Sequence, residues 1–335
     1  MKRSVKGWPK TGTAPSMGSV LIATSVAAAL LVSMSAVAAQ PASGGLEQPA
    51  APTVGASGVS PSTAVTPTPT TPSDPVLNPT PSVEIPPLPA LDDAAARQEA
   101  GKLQAALKRE VPNLQSFTIQ QRAHWVAAAR NGVEQGGYRI TRAQVLVVVD
   151  RNPAVQRLAL VLALPDSDDW EVIGGVKVST GTKGRKYYYI TPTGVFDNTT
   201  DRLGYRAEGT KNENGIRGIG AKGMRVWDFG WRNAVKGWRT DGETGDIRLE
   251  MHATDPDFLE RRLGHTGSEG CVRVPAAFNV FLDRHGLLDV QYEQAASYDG
   301  RFRALLRKDR TPSPIAGEVM LVFDSGDSVA PASRS

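Results

Sequence analysis

Apolar and polar positions follow two periods along this chain. Asp92 and Asp93 lead into Ala94 to Lys108, where Leu103, Ala106 and Leu107 share one face, so the spacing predicts a helix with an acidic first turn. A second helix is predicted over Ile119 to Asn131, stopped by Gly132 and the Gly136-Gly137 pair. From Gln144 the pattern becomes that of strands. Val145 to Val149, Leu158 to Leu164 and Val172 to Ser179 are rich in β-branched and aliphatic residues, with Asp150-Arg151-Asn152-Pro153 and Pro165-Asp166-Ser167-Asp168 as turns between them. Tyr187 to Ile190 reads as a fourth strand, closed by Thr191-Pro192-Thr193-Gly194. In Asp246 to His252 alternation is strict: Ile247, Leu249 and Met251 face one way, Arg248, Glu250 and His252 the other. Pro275 to His285 returns to helical spacing, with Phe278, Phe281 and Leu282 on one side and Gly286 as its stop. A mainly β fold with a small helical lead-in is the expectation.

The first 91 residues have neither period. Residues 1–40 combine a basic start (Lys2, Arg3, Lys6, Lys10), an apolar run from Val20 to Val32 and Ala36-Val37-Ala38, the order of an export signal with a small-residue cleavage site. Extended to Ala39, the apolar run approaches the roughly 20 residues that span a bilayer, so an uncleaved N-terminal membrane anchor is the alternative. Residues 41–91 hold 13 prolines among Ser, Thr, Ala and Gly, a composition that makes a spacer and not a core. The expected organisation is then signal 1–40, disordered linker 41–91, helical lead-in 92–140, main domain 141–295 and a partly disordered C-terminal extension 296–335. The formal charge of +4 comes from the leader, because the remaining 34 basic and 34 acidic residues cancel. A body without net positive charge argues against nucleic acid as partner.

One cysteine, Cys271, excludes an intramolecular disulfide framework and a cysteine zinc cluster. A lone thiol in an exported protein is open to intermolecular coupling, and nucleophilic catalysis is one reason to keep it. Its surroundings, Gly267-Ser268-Glu269-Gly270-Cys271-Val272-Arg273, fit a tight polar turn better than a buried apolar site. Adjacent backbone N–H groups in such a turn can address an oxyanion. A thiol with an ordinary pKa of about 8.5 needs a base. Among four histidines, His124 reads as packing or surface and His285 as a helix C-terminal cation, while His265 lies in a loop and His252 ends a strand.

These residues resemble the YkuD-type L,D-transpeptidase catalytic domain, whose signature is a histidine, a gap of around fifteen residues, then Ser/Thr-His-Gly-Cys and an Arg or Asn. Here 15 residues separate His252 from Ser268, and Gly270, Cys271 and Arg273 fall in register. Val176 to Gly181 and Thr191 to Gly194 also match segments of that family's pattern. The similarity covers roughly residues 144 to 290, with one departure: Glu269 stands where the family has its second histidine. The resemblance implies a β-sandwich or barrel-like domain with a short helix after the cysteine loop. It implies acyl transfer on the diaminopimelate of peptidoglycan stem peptides in the periplasm or cell envelope, without cofactor or metal, and acylation by carbapenems. Cys271 would be nucleophile and His252 base, oriented by the Ala253 carbonyl, with the Gly270 and Cys271 N–H groups as oxyanion donors. Arg273 would bind a substrate carboxylate or brace the loop, and Ser268 and Glu269 would flank the substrate. An L,D-carboxypeptidase or amidase on the same thioester path and a noncatalytic cell-wall module are the alternatives, whereas a papain-like protease would place its cysteine ahead of the histidine.

Two other patterns carry less. Gly218-Ile219-Gly220-Ala221-Lys222-Gly223 fits a dinucleotide fingerprint but follows polar residues instead of a strand. Asp255-Pro256-Asp257 reads as a turn. The glycine-rich stretch 197–243, with Tyr205, Trp227, Trp231 and Trp238, reads as a large loop that either packs on the sheet or caps a groove.

Overall fold

Gln144–Asp150 (β1) is buried along its whole length, and its sequence explains why: Leu146 and Val148 are as apolar as Val145, Val147 and Val149, so the strand must be covered on both faces. The computed structural model describes residues 90–326 and Leu88, all within the unit Val76–Ser335. The export signal and nearly all of the linker lie outside the described residues. No described helix is long and apolar enough to cross a membrane.

The later strands are β2 (Arg157–Ala163), β3 (Glu171–Lys177), β4 (Gly194–Asp197), β5 (Tyr205–Arg206), β6 (Arg225–Val235), β7 (Thr244–Ala253), β8 (Val272–Val274) and β9 (Val319–Phe323). They form a five-stranded sheet in the order β3-β2-β1-β9-β4 and a four-stranded sheet in the order β5-β6-β7-β8. Helices α1 (Asp93–Glu110) and α2 (Ile119–Gln135) precede the strands, and α3 (Ala276–Arg284), α4 (Val290–Ala295) and α5 (Gly300–Leu305) follow β8. The result is a mixed α/β arrangement of two sheets and few helices, as the strand-dominated pattern predicts.

Side-chain parity sets the layers. Leu146, Val148, Ala159 and Val161 meet Trp125, Ala129 and Val133 of α2. On the opposite face, Val145, Val147, Leu158 and Leu160 meet Leu103 and Leu107 of α1 and Trp227, Phe229, Leu249 and Met251 of the second sheet. The helix α1 starts where Asp92 accepts a hydrogen bond from the Ala95 N–H at 2.7 Å, and α2 starts at a capping box between Thr118 and Gln121.

Four expectations are corrected. Gly132 does not stop α2, which runs to Gln135; a Cβ there would lie 2.5 Å from Leu321 Cδ1, so the glycine is where α2 lies close against β9. Tyr187 to Ile190 is not a strand: Tyr187 has φ 67°, and only Tyr189 makes a bridge, to Lys236. Its rings pack instead on Trp238, with centroids at 6.0 Å for Tyr187 and 5.2 Å for Tyr189. The stretch 197–243 is no simple loop, since β6 within it pairs along β7. The sheet also does not end at residue 295, because β9 lies between β1 and β4, parallel to β1. Residues 327–335 lie outside the described residues.

Candidate functional site

Leu249 and Met251 commit one face of β7 to the core, which turns Arg248, Glu250 and His252 to the other. Residues paired across strands share a face, so the register extends this second surface. Val226, Asp228 and Trp231 of β6 pair with His252, Glu250 and Arg248, while Tyr205 of β5 pairs with Val226. The irregularity between Asp228 and Trp231, where Phe229 and Gly230 stand opposite Leu249, keeps Phe229 in the core and Trp231 on the outer face. On the far side, β8 runs parallel to β7 and sets Arg273 opposite His252. Cys271, two residues earlier, comes to the same face beside Glu250. Its Sγ lies 3.9 Å from the Arg248 carbonyl oxygen and accepts from the Glu250 backbone N–H. The sulfur therefore uses the two β7 edge groups left over where β8 begins.

The cysteine turn is held by the two upstream segments that the sequence singles out. Thr180 O accepts from the N–H groups of Gly267 and Ser268 at 2.9 and 3.0 Å, and Ser179 bridges Arg273. Thr191 Oγ1 donates to Gly270 O at 2.7 Å while accepting from Gly181 N–H at 2.8 Å. Ser268 is fully buried; its Oγ donates to Cys271 O at 2.6 Å and accepts from Gly270 N–H at 3.2 Å. It is a brace inside the turn and not a substrate contact. Gly270 has φ 133°, and a Cβ on it would lie 2.7 Å from Ile247 Cδ1, so the turn needs glycine. Its N–H is occupied by Ser268, so of the two N–H groups expected from sequence to address an oxyanion, only that of Cys271 is left for such a role. Glu269 is exposed, and its carbonyl accepts from Tyr189 N–H at 3.2 Å. A side chain directed to solvent there leaves the internal bonds of the turn intact, whatever its chemistry.

His252 is 3% exposed, and its Nδ1 lies 2.8 Å from the Ala253 carbonyl oxygen. A carbonyl only accepts, so Nδ1 carries the proton and Nε2 keeps its lone pair. Burial, with the nearby Arg273 cation, pushes the His252 pKa down to about 4. Burial pushes the Cys271 thiol up to about 12, and the Glu250 and Glu269 carboxylates add to this while Arg273 opposes it. Both shifts favour the neutral thiol and the neutral imidazole near pH 7. Burial also raises the Glu250 carboxyl, which accepts a hydrogen bond from Tyr205 Oη at 3.0 Å. The Tyr205 phenol is raised in turn, first by burial and then by Glu250. Arg248 reaches across to Asp228, with Nε to Oδ2 at 2.8 Å.

Cys271, His252, Ala253, Gly270 and Arg273 therefore meet at one end of the second sheet, with Ser268 beneath them and Glu269 at the rim. His265 is exposed and lies with Arg273 on the outer side of β8. His285 lies 3.4 Å from both Glu110 carboxylate oxygens, and His124 is exposed near the Phe323 ring; neither belongs to the site. Asp255 accepts from the N–H groups of Asp257 and Phe258, an Asx turn. The Gly218 to Gly223 segment leads into a strand, β6, and not into the helix that a dinucleotide site requires. Sequence reasoning missed Thr191 as the anchor of Gly270 and Tyr205 as the partner of Glu250. Alternation along β7 did mark Glu250, whereas the two-residue β5 has no period to read. No protein-family model matches this chain, and no curated protein matches it.

Proposed function

We propose that the protein is an exported cysteine acyltransferase of the YkuD type, an L,D-transpeptidase acting on peptidoglycan stem peptides. The observation that carries this reading is the parallel pairing of β7 with β8, which unites Cys271 and a histidine with its Nδ1–H tethered to a carbonyl on one face of the second sheet. Hydrogen bonds that Thr180 accepts from the cysteine turn and that Thr191 donates to it support the reading further, since these residues lie in the segments that resemble the family.

In this mechanism the attack starts from neutral partners. As Sγ approaches the carbonyl carbon next to the diaminopimelate L-centre, the thiol proton passes to His252 Nε2 and the Cys271 N–H receives the developing oxyanion. The intermediate collapses with cleavage of the C–N bond, and the imidazolium returns its proton to the departing amine of the terminal D-residue. An acceptor amine then attacks the thioester, gives its proton to His252, and the sulfur leaves and is reprotonated. The lowered pKa of His252 keeps its Nε2 lone pair free at pH 7 and also makes it a weak base, so in this mechanism proton transfer from the thiol accompanies attack on the carbonyl instead of preceding it.

Intact mass after incubation with purified muropeptides tests this directly. An acyl adduct on Cys271 that an amine acceptor discharges to a cross-linked product is the expected result. Discharge to water alone would assign the carboxypeptidase alternative, and an unmodified chain with no turnover would sink the acyltransferase reading. A carbapenem should add its mass at Cys271 and at no other residue.

A further inference from the structure

Discharge of a thioester by an amine leaves one proton without a destination. A primary alkyl amine has an ordinary pKa of about 10, so it reaches the site as an ammonium and must lose two protons to become an amide N–H. One returns to the sulfur through His252. The other needs a second base, and His252, pushed down to about 4, is a poor one. Glu250 stands on the same face of β7, and its backbone N–H donates to the Cys271 sulfur. Tyr205 of β5 donates to its carboxylate at 3.0 Å, Asp228 of β6 pairs with it across the strands, Arg248 precedes it on its own strand, and Cys271 faces it from the turn. Arg248 is committed to Asp228, with Nε to Oδ2 at 2.8 Å, and Glu250 makes no ion pair among the described residues. The approach is open, since Tyr205, Trp231 and Arg248 are all exposed. A half-buried carboxylate beside the nucleophile, hydrogen-bonded by a neutral phenol and lacking a cation, is a place for an ammonium. Burial raises Glu250 above an ordinary carboxyl while His252 is lowered, so the carboxylate is the stronger base of the two.

We propose that Glu250 is a catalytic residue of the second half-reaction, which binds the acceptor as its ammonium and takes the surplus proton as the nitrogen attacks the Cys271 thioester. This rests on the acyl-transfer reading above and adds to it a base that serves the acceptor alone. The ammonium gives one proton to the Glu250 carboxylate, and its freed lone pair forms the new C–N bond at the thioester carbonyl carbon. The nitrogen then passes its second surplus proton to His252 Nε2. The intermediate collapses with cleavage of the C–S bond, and the sulfur takes the imidazolium proton. Amide, thiol and neutral imidazole result, and Glu250 releases its proton to solvent. Protonation of Glu250 also removes a charge that opposes thiolate formation, at the step where the sulfur must leave. No such role arises in the first half-reaction, whose incoming nucleophile is the thiol and carries one proton only.

The test follows the two half-reactions separately by intact mass. The full chain, in excess, is acylated with purified muropeptide and then mixed with one of two acceptors: excess muropeptide, whose amine is an ammonium at pH 7, or methoxyamine, which is neutral there. Glu250→Gln keeps the side-chain length and an oxygen for the Tyr205 hydroxyl. It should acylate no more slowly than wild type, yet discharge to muropeptide about tenfold more slowly at pH 7, with the gap narrowing as pH rises towards 9. Methoxyamine should discharge both proteins at rates within about twofold, and Glu250→Asp should recover part of the muropeptide rate. Equal muropeptide discharge in wild type and Glu250→Gln overturns the proposal. So does a loss shared by acylation and by both acceptors, which marks a structural role, and so does a gap that pH leaves unchanged. Wild type that discharges to water alone keeps the thioester and removes the acceptor Glu250 would serve. A wild-type chain that never carries the adduct sinks the acyl-transfer reading itself, and this role with it.

Discussion

The two sheets are made of similar strands and put to opposite uses. The five-stranded sheet is covered on both faces, by α2 on one side and by α1 with the second sheet on the other. The four-stranded sheet buries Trp227, Phe229, Leu249 and Met251 on one face and leaves Trp231 68% exposed on the other. A strand with two apolar faces can only be scaffold, because every side chain is spent on packing. A strand with one free face can carry arginine, glutamate and histidine without burying unpaired charge. Where that free face runs under the rim at Ala253, His252 is buried while Arg248, four residues earlier, is exposed. The site lies at this boundary, wet enough for a substrate and dry enough to shift both the imidazole and the thiol.

Substitutions on the two sheets should separate stability from chemistry, and the largest contrast is between Leu160 and Cys271. Leu160→Ala empties space in a fully buried strand and should cost about 3 kcal/mol or more in chemical denaturation. Cys271→Ala should leave the unfolding free energy within about 1 kcal/mol of wild type while abolishing adduct formation. If Cys271→Ala unfolds the chain as Leu160→Ala does, the free face is structural and the contrast collapses.

An exception to that division sits inside the second sheet. Arg225 at the start of β6 and Asp289 are both fully buried and paired at 3.0 Å, with Trp227 Nε1 donating to the same Asp289 oxygen at 3.1 Å. Asp289→Ala strands a buried guanidinium and should cost about 3–5 kcal/mol. A loss below 1 kcal/mol in a denaturant titration would show that water reaches Arg225.

Acid should act on the second sheet through His252. Its pKa falls from an ordinary 6.5 to about 4 on folding, so the unfolded chain binds the proton more readily. The stability from keeping His252 neutral is complete above pH 6.5 and is lost as pH falls towards 4, by about 3 kcal/mol for this group alone. Denaturation at pH 7 and pH 4.5 on wild type and His252→Gln checks the sign: the variant should lose less stability between the two. An equal loss in both would place the acid sensitivity elsewhere.

Sequence patterns exposed some of this and hid the rest for definite reasons. Strict alternation in β7 marked which of its residues face solvent, and the spacing of His252 and Cys271 brought them forward as a pair. The parallel β7–β8 register that unites them has no local signal, since β8 is three residues long and the residues it pairs with lie 21 positions upstream. The same holds for β9, which enters the first sheet beside β1 from a segment that reads as a tail. Gly132 shows how this misleads: a glycine that looks like a helix stop is explained only by Leu321 of that unforeseen strand. Tyr187 to Ile190 failed differently, because aromatic residues favour strands but can also stack on a neighbouring ring, as two of these do on Trp238. The occupied Gly270 N–H could not be foreseen either, since it depends on the rotamer of Ser268.

The smallest effect expected concerns the thiol itself and sharpens the contrast between an open face and a dry one. With its pKa pushed up to about 12, Cys271 holds little thiolate at pH 7.5. Allowing for the greater nucleophilicity of a more basic thiolate, iodoacetamide should modify it about a hundredfold more slowly than a free peptide thiol. Burial is the main cause, and it survives any single surface substitution. The Glu250 carboxylate is the second, and Glu250→Gln removes its charge while keeping the side-chain length and the backbone N–H that the sulfur accepts from. Alkylation should then accelerate several-fold, and its pH profile should move to lower pH. Tyr205→Phe removes the hydroxyl that donates to Glu250 and leaves the carboxylate in place, so it should not produce that acceleration. An unchanged rate in Glu250→Gln would mean that burial alone sets the thiol, with Glu250 on the face but outside its electrostatics.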